Sequence, residues 1–374
     1  MESPNIFLVN QSSNSNINRS VKSDINIYGS TNIGGGRENQ DESSIIRLEC
    51  NGHSIVILMI LDGHGQNGKF VAITAKETFQ KYFSENIQYL VENTEECLNS
   101  AYSFTDEEIK NALERKYQNE NKNVKRVNGY LTTGTNYPSL ISGGTTCTIA
   151  VIIDNIHLYI SNVGDSDAII ISITNNNISS EIITGNHSPE NIDEFETVIN
   201  NFPNPLSFEY DKSREKDYYP IFEIDPLDGI YKITRKGNYV KNVRHEFGSV
   251  VSAPKNAPFD STLSMTRSLG DYYLKKYGVS SKPTIKYINL SEIFKESPII
   301  SIVVATDGVW DNHTYENISK LILNEDYLKR INNGENISEE VCKLLIAEND
   351  QLGRNHFGES RDNATAIVSY LKKN

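Results

Sequence analysis

Asp62, Asp307 and Asp165 each stand beside a glycine at the end of an apolar run. Residues 55–61 lead into Asp62-Gly63-His64-Gly65, residues 299–306 into Asp307-Gly308, and residues 156–163 into Gly164-Asp165. A continuous apolar run of this length reads as a buried strand, and the neighbouring glycine marks a sharp turn. Each carboxylate therefore sits where the backbone stops pairing and side chains from separate strands can converge. Oxygen donors gathered in this way suit Mg²⁺ or Mn²⁺, which use few carboxylates each and keep several waters. Asp62, Asp307 and Asp362, with the carbonyl of Gly63, are the expected ligands of two such ions. Asp165 and Asp311 are weaker candidates for a third. The chemistry such a centre performs is on phosphate, because water between two cations has a lowered pKa and can attack phosphorus in line. A single Asp-Gly pair is most often only a turn former. Three of them with one adjacent histidine make a consistent set.

His64 lies two residues past Asp62. An imidazole titrating near neutrality can protonate a departing alkoxide, which leaves poorly without a proton; the alternative is a structural imidazole. Arg37 follows three glycines and could hold a phosphate through its planar guanidinium, or it could simply be solvated. Asp41 is placed as an acid behind the ligands that orients metal-bound water, with Gln40 beside it. Ser142-Gly143-Gly144-Thr145-Thr146 leads into a strand and lacks the lysine of a nucleotide-binding loop, so it reads as a strand entry with close backbone packing.

The elements that must position these residues are legible along the chain. Strands are expected at 25–33, 44–48, 55–61, 145–153, 156–163, 168–173, 285–289, 299–306 and 364–371, with Asp154-Asn155 as a hairpin turn. Helices are expected at 67–91, at 105–117 with Thr105 as N-cap, and at 189–200, 315–324 and 338–348. Residues 118–142 read as a loop, and 186–261 as an inserted flap lobe. Residues 1–23, rich in Asn and Ser, read as a flexible tail before one catalytic domain spanning 24–374. Runs of antiparallel-looking strands with clustered helices favour an α+β fold. The 374 residues carry a net charge of −13, which argues against a nucleic-acid binder. Four scattered cysteines, with no C-x-x-C pair, read as reduced thiols in an intracellular protein. No apolar stretch reaches the roughly 18–20 residues of a membrane span.

Together these motifs resemble the metal-dependent protein phosphatases of the 2C type. The matching pieces run in family order: Arg37 with Asn39-Gln40-Asp41, Leu61-Asp62-Gly63-His64-Gly65, and Ser142-Gly143-Gly144-Thr145-Thr146. Next come Asn162-Val163-Gly164-Asp165-Ser166 and Met265-Thr266-Arg267-Ser268-Leu269-Gly270-Asp271. Ala305-Thr306-Asp307-Gly308-Val309-Trp310-Asp311 and Ser360-Arg361-Asp362-Asn363-Ala364-Thr365 complete the series, so the resemblance covers about 25–371. It implies a four-layer α-β-β-α sandwich with two central, mainly antiparallel sheets and the metals in a cleft at one end. It implies Mg²⁺ or Mn²⁺ dependence and hydrolysis of phosphoserine or phosphothreonine in proteins without a covalent phosphoenzyme. By motif, it makes Asp62, Asp307, Asp362 and the Gly63 carbonyl metal ligands, His64 the general acid and Arg37 the phosphate binder. The motif ending in Asp271 is structural in the family, so Asp271 is not counted as a ligand.

The chain departs from the pattern in three places. Gln40 stands where many members carry a glutamate, the gap from Arg37 to Asp41 is one residue short, and Asp167 replaces an arginine. The expectation is a monomeric, cytoplasmic serine/threonine phosphatase (the nucleus staying open) acting on phosphorylated proteins, with no nucleic-acid or membrane partner. A phosphoprotein-binding module without turnover, and a hydrolase of small phosphorylated molecules, are the alternatives.

Overall fold

The computed structural model describes residues 7–8, 25–174, 177–211, 219–233 and 235–373. Two sheets form its centre. One runs in the order Phe7–Leu8, Glu42–Cys50, His53–Leu61, Cys147–Ile153, His157–Val163, Thr284–Asn289. The other runs Asn177–Ile182, Asp167–Thr174, Ile299–Ala305, Ala364–Lys372, Ile25–Asn32. Every pairing within both sheets is antiparallel.

Side-chain alternation explains why the central strands are largely apolar. In His53–Leu61, Val56, Leu58 and Ile60 pack with Ile300, Ile302 and Val304 of the facing sheet. Ile55, Ile57, Met59 and Leu61 instead pack outward against Val71, Phe79 and Tyr102 of the helices Gly68–Glu85 and Thr94–Asn119. A strand buried on both faces leaves room for a polar residue only where it finds a partner, as Ser301 and Ser369 do by donating to Ser369 O at 2.8 Å and Ile302 O at 3.0 Å. On the far side, Val303, Val368 and Tyr370 meet Ile318, Val341 and Leu345 of Tyr315–Ile322 and Ser338–Phe357. Three apolar layers between four strata give the α-β-β-α sandwich that the motifs implied. Each buried aliphatic side chain contributes about 1.5–3 kcal/mol, which lets the sandwich tolerate costly acids at its edge.

Local chemistry sets the turns. Asp154 and Asn155 both adopt left-handed conformations, at φ 55° and 56°, and close the hairpin expected there. Two expectations fail. Thr105 caps nothing: it is buried inside the continuous helix Thr94–Asn119, whose buried positions Cys97, Leu98, Ala101, Tyr102, Thr105, Ile109 and Leu113 keep a helical repeat past the supposed start. Residues 118–142 are no mere loop, because Val124–Val127, Tyr130–Thr133 and Ser139–Leu140 form a small sheet. Its strands have two to four residues, too short to announce themselves by alternation.

The inserted lobe contains the helix Ile192–Asn201, a sheet of Ser207–Tyr210, Ser249–Ser252 and Thr262–Leu263, and the hairpin Phe222–Ile224 with Tyr231–Ile233. Its apolar residues Phe195, Phe208, Tyr210 and Val251 join the core beneath the first sheet. Of the expected tail, Phe7–Leu8 pair with Arg47 and Ile46 at the sheet edge, and the rest lies outside the described residues.

Candidate active site

Asp62 follows the last residue of His53–Leu61 and is fixed by a reciprocal clasp. Its N–H donates to Thr146 Oγ1 at 3.0 Å, and the Thr146 N–H donates to its carbonyl at 2.9 Å. Beyond it, Gly63–His64, Gly144–Thr145 and Leu269–Gly270 pair as a three-stranded ribbon. That ribbon brings His64 to Asp271, whose Oδ2 lies 2.7 Å from His64 Nε2. Gly144 has to be glycine there, since a Cβ would fall 2.1 Å from Asp271 Oδ2 and 2.6 Å from His64 Nε2. This is the close packing anticipated for the Gly143-Gly144 entry, and its beneficiary is the histidine–aspartate pair.

Asp307 opens the short helix Asp307–Trp310 at the end of Ile299–Ala305. Gly308 presses against the next strand so closely that a Cβ would sit 1.8 Å from the carbonyl oxygen of Asn363. That approach sets Asp307 beside the Asp362-Asn363 turn. Asp41 is nearly fully buried; Thr306 Oγ1 and Thr365 Oγ1 donate to its Oδ2 at 3.0 and 2.7 Å. Asn363 ties the neighbouring loop down, accepting from Gln40 N–H at 2.7 Å and donating to Ile33 O at 2.6 Å.

The electrostatics mark the cluster out. Burial pushes the Asp62 carboxyl well above the ordinary range, and Asp41, Asp307 and Asp362 push it further. Asp307 and Asp362 are raised as well, each by burial first and then by neighbouring aspartates. Burial and the same acids carry Asp41 to about 7. Asp165 and Asp311, beside Asp307, are pushed to about 7 and about 6, again chiefly by burial. Buried oxygens without a partner remain on Asp41 (Oδ1), Asp307 (Oδ1) and Asp165 (both).

Buried carboxylates normally find donors or cations, and these have few. An all-oxygen donor set with unsatisfied, mutually repelling carboxylates is what hard divalent ions neutralise, so the residues fit Mg²⁺ or Mn²⁺. Among the described residues, no group of three such side chains is already closed to metal-binding geometry. The acids stand as an arc around two cavities. One, of about 310 Å³, is lined by Gln40, Asp62, Gly63, His64 and Asp362; the other, of about 320 Å³, by Asp165 and Asp307.

His64 is poised differently. Burial alone would lower its pKa, but Asp271, then Asp165 and Asp307, more than offset this and hold it above its ordinary value. Asp271 is held below its usual range despite burial, by His64, Ser268 and Lys275. Nδ1 of His64 is buried without a partner. The structure thus gathers Asp41, Gln40, Asp62, Gly63, His64, Asp165, Asp307, Asp311 and Asp362 in one region. It does not bring Arg37 there: that side chain is exposed, makes no hydrogen bond among the described residues, and lines neither cavity. Asp167 serves the frame, accepting from Thr184 Oγ1 at 2.6 Å and Tyr315 OH at 2.9 Å.

Asp271, read in the sequence only as the end of a structural motif, is the residue the structure sets against His64. It takes a left-handed conformation after Gly270, at φ 45°, which a sequence does not display.

Residues 60–200 and 233–351 match the family described as Protein phosphatase 2C, and the stretch left out, 201–232, lies within the inserted lobe. The chain is 25% identical over 343 residues to Probable protein phosphatase 2C 35 of Arabidopsis thaliana, covering 90% of this chain and 80% of that one. It is 24% identical over 340 residues to Protein phosphatase 1K, mitochondrial, of Xenopus laevis, covering 91% of this chain and 66% of that one. Serine-threonine phosphatase 2C from Toxoplasma gondii shares its fold, with a TM-score of 0.62 at 17% identity over 99% of this chain and 100% of that one. With the family matched across most of its length, the chain belongs to the protein phosphatase 2C family.

Proposed function

We propose that the protein hydrolyses phosphoserine and phosphothreonine in protein substrates, using two divalent cations, Mg²⁺ or Mn²⁺, and water as the nucleophile. The observation that carries this reading is a cluster of buried carboxyls, Asp41, Asp62, Asp307 and Asp362, that push one another's pKa upward and leave Asp41 Oδ1 and Asp307 Oδ1 buried without a partner. Asp62, Asp307, Asp362 and the Gly63 carbonyl would hold the ions. When bound, the pair supplies Lewis acidity toward water and toward the phosphoryl oxygens.

The chain's own residues do the rest. Asp41 is clamped by two threonine hydroxyls with Oδ1 left free, and so is set to orient a neighbouring water or ligand. With Nε2–H donating to Asp271 Oδ2, the ring is fixed and Nδ1 is the atom left to gain and release a proton. Asp271 raises the pKa of His64, which favours the imidazolium that can deliver the Nδ1 proton to the departing serine or threonine oxygen. Arg37, exposed beside the cleft, would reach a phosphate at the rim.

Free, unpaired thiols at Cys50, Cys97, Cys147 and Cys342 favour a reducing compartment such as the cytoplasm. Among the described residues, no helix is long and apolar enough to cross a membrane.

The test is release of phosphate from a phosphothreonine peptide, a phosphorylated metabolite and p-nitrophenyl phosphate, each with and without Mn²⁺. Mn²⁺-stimulated turnover of the peptide, exceeding that of the metabolite, is expected. Absence of metal-stimulated turnover on all three would overturn the proposal.

A further inference from the structure

The inserted lobe reaches the acidic arc through one short strap. Val240 and Phe247 form a bridge, and the Lys241 N–H donates to Glu246 O at 2.7 Å. From inside this loop, Val243 N–H donates to Asp311 O at 3.2 Å, Asn242 Nδ2 donates to Asp311 Oδ1 at 3.0 Å, and Arg244 donates to Trp310 O. The strap is therefore fastened to the residues that directly follow Asp307.

The charges lining the cavity of about 320 Å³ that Asp165 and Asp307 share with this strap can be paired off one by one. Glu246 takes Arg244, at 3.0 Å. Glu190 accepts from Tyr210 OH at 3.0 Å. Asp167 accepts from two hydroxyls. Asp307 belongs to the two-ion centre. What remains is Asp165, with both buried oxygens unpartnered, and the ammonium of Lys241, which makes no hydrogen bond or close ion pair among the described residues.

We propose that Lys241 is the resident counter-ion of Asp165, docking the inserted lobe on the metal centre and standing where a third divalent ion would otherwise bind. This rests on reading the Asp62, Asp307 and Asp362 cluster as a two-ion centre. Two ions neutralise that cluster; Asp311 accepts from Asn242 and has Arg244 Nη2 at 3.8 Å, so Asp165 is left over, and Lys241 supplies the matching charge from the lobe. Burial would lower the lysine's pKa, but Asp165, then Asp311 and Asp307, raise it, so the ammonium stays charged. Lys241 is thus a positioning residue: it touches no reacting atom, and it couples the lobe to the centre through Asp165.

The experiment counts Mn²⁺ bound to the full chain by equilibrium dialysis with elemental analysis. The same samples are followed by hydrogen exchange at the amides of residues 241–243. Wild type is expected to bind two ions. Lys241→Met should bind a further ion at least about tenfold more tightly than wild type does, the scale of a partly screened charge contact. Lys241→Gln, which keeps a polar head in the cavity, should do the same. Lys241→Arg, which keeps the charge, should stay at two ions, and Lys241→Met combined with Asp165→Asn should return to two. Exchange at 241 and 243 should quicken in the neutral variants and not in Lys241→Arg. If wild type binds two ions and the neutral variants match it in number and affinity, this proposal is overturned alone. If wild type binds fewer than two, the two-ion centre fails and the proposal fails with it.

Discussion

The metal cleft and the inserted lobe treat charge in opposite ways. In the lobe, several acids are matched with bases within it or adjoining it, Glu194 with Arg267 at 2.5 Å, Glu246 with Arg244, Asp225 and Asp228 with Lys232, while the base Lys241 is left for the cleft. The carboxyls of Glu194 and Glu246 are accordingly held below their ordinary range despite burial. In the cleft, Asp41, Asp62, Asp307 and Asp362 face mainly one another, and every one of them is pushed upward. A self-satisfied set of charges is architecture. An unsatisfied set of buried acids is a request for cations from outside, and that contrast identifies the site as much as any motif does.

The contrast can be broken most severely at Asp62. Asp62→Asn should lower kcat for a phosphopeptide by at least about 100-fold, as loss of a preorganised charged group does. In metal-free protein the same change should raise Tm, by roughly 2–4 °C per kcal/mol of repulsion relieved. Steady-state kinetics and a thermal melt in chelator check both signs. A lowered metal-free Tm would mean the acids are not in conflict.

His64 offers a sharper cut. His64→Gln should cost about 10²–10⁴-fold on phosphoserine, whose leaving group needs a proton, and much less on p-nitrophenyl phosphate, whose leaving group does not. Asp271→Asn should follow the same split with a smaller loss of about 10–100-fold. Equal losses on both substrates would remove the acid role.

On the lobe side, Glu194→Gln should destabilise the fold by about 3 kcal/mol in denaturant titration, because Arg267 is left without its charge partner in a largely buried setting. Glu194 has a depressed folded pKa, so its contribution is complete above the unfolded value of 4.5 and is lost as pH falls through the lower folded value. Wild type and Glu194→Gln should therefore converge in stability in acid and diverge near neutrality. Convergence at high pH instead would reverse the assignment. The smallest effect is expected at Arg37. An exposed guanidinium contributes about 0–1 kcal/mol, so Arg37→Ala should raise KM no more than about fivefold and leave kcat near wild type.

How much was legible in the sequence follows from what each feature depends on. The central strands were plain, because burial on both faces forces apolar runs such as 55–61, and 299–305 with Ser301 as its one polar residue. The Asp-Gly ends were plain because turns need glycine and ligands need carboxylate. The helix Thr94–Asn119 was misjudged at its start because its mean hydropathy is low and Thr105 mimics a cap. The pairing of His64 with Asp271 joins positions 207 residues apart through a ribbon of two-residue strands, which leave no periodic trace. Lys241 carried no signal at all: its meaning comes from the unpartnered Asp165 across a cavity, and only three dimensions supply that.

The most direct measurement is the rate of phosphopeptide hydrolysis by Asp307→Asn at saturating Mn²⁺, beside wild type. The account predicts a fall of two orders of magnitude or more, because a carboxylate of the buried cluster, with Oδ1 held without a protein partner, would be gone. A rate equal to wild type would contradict it.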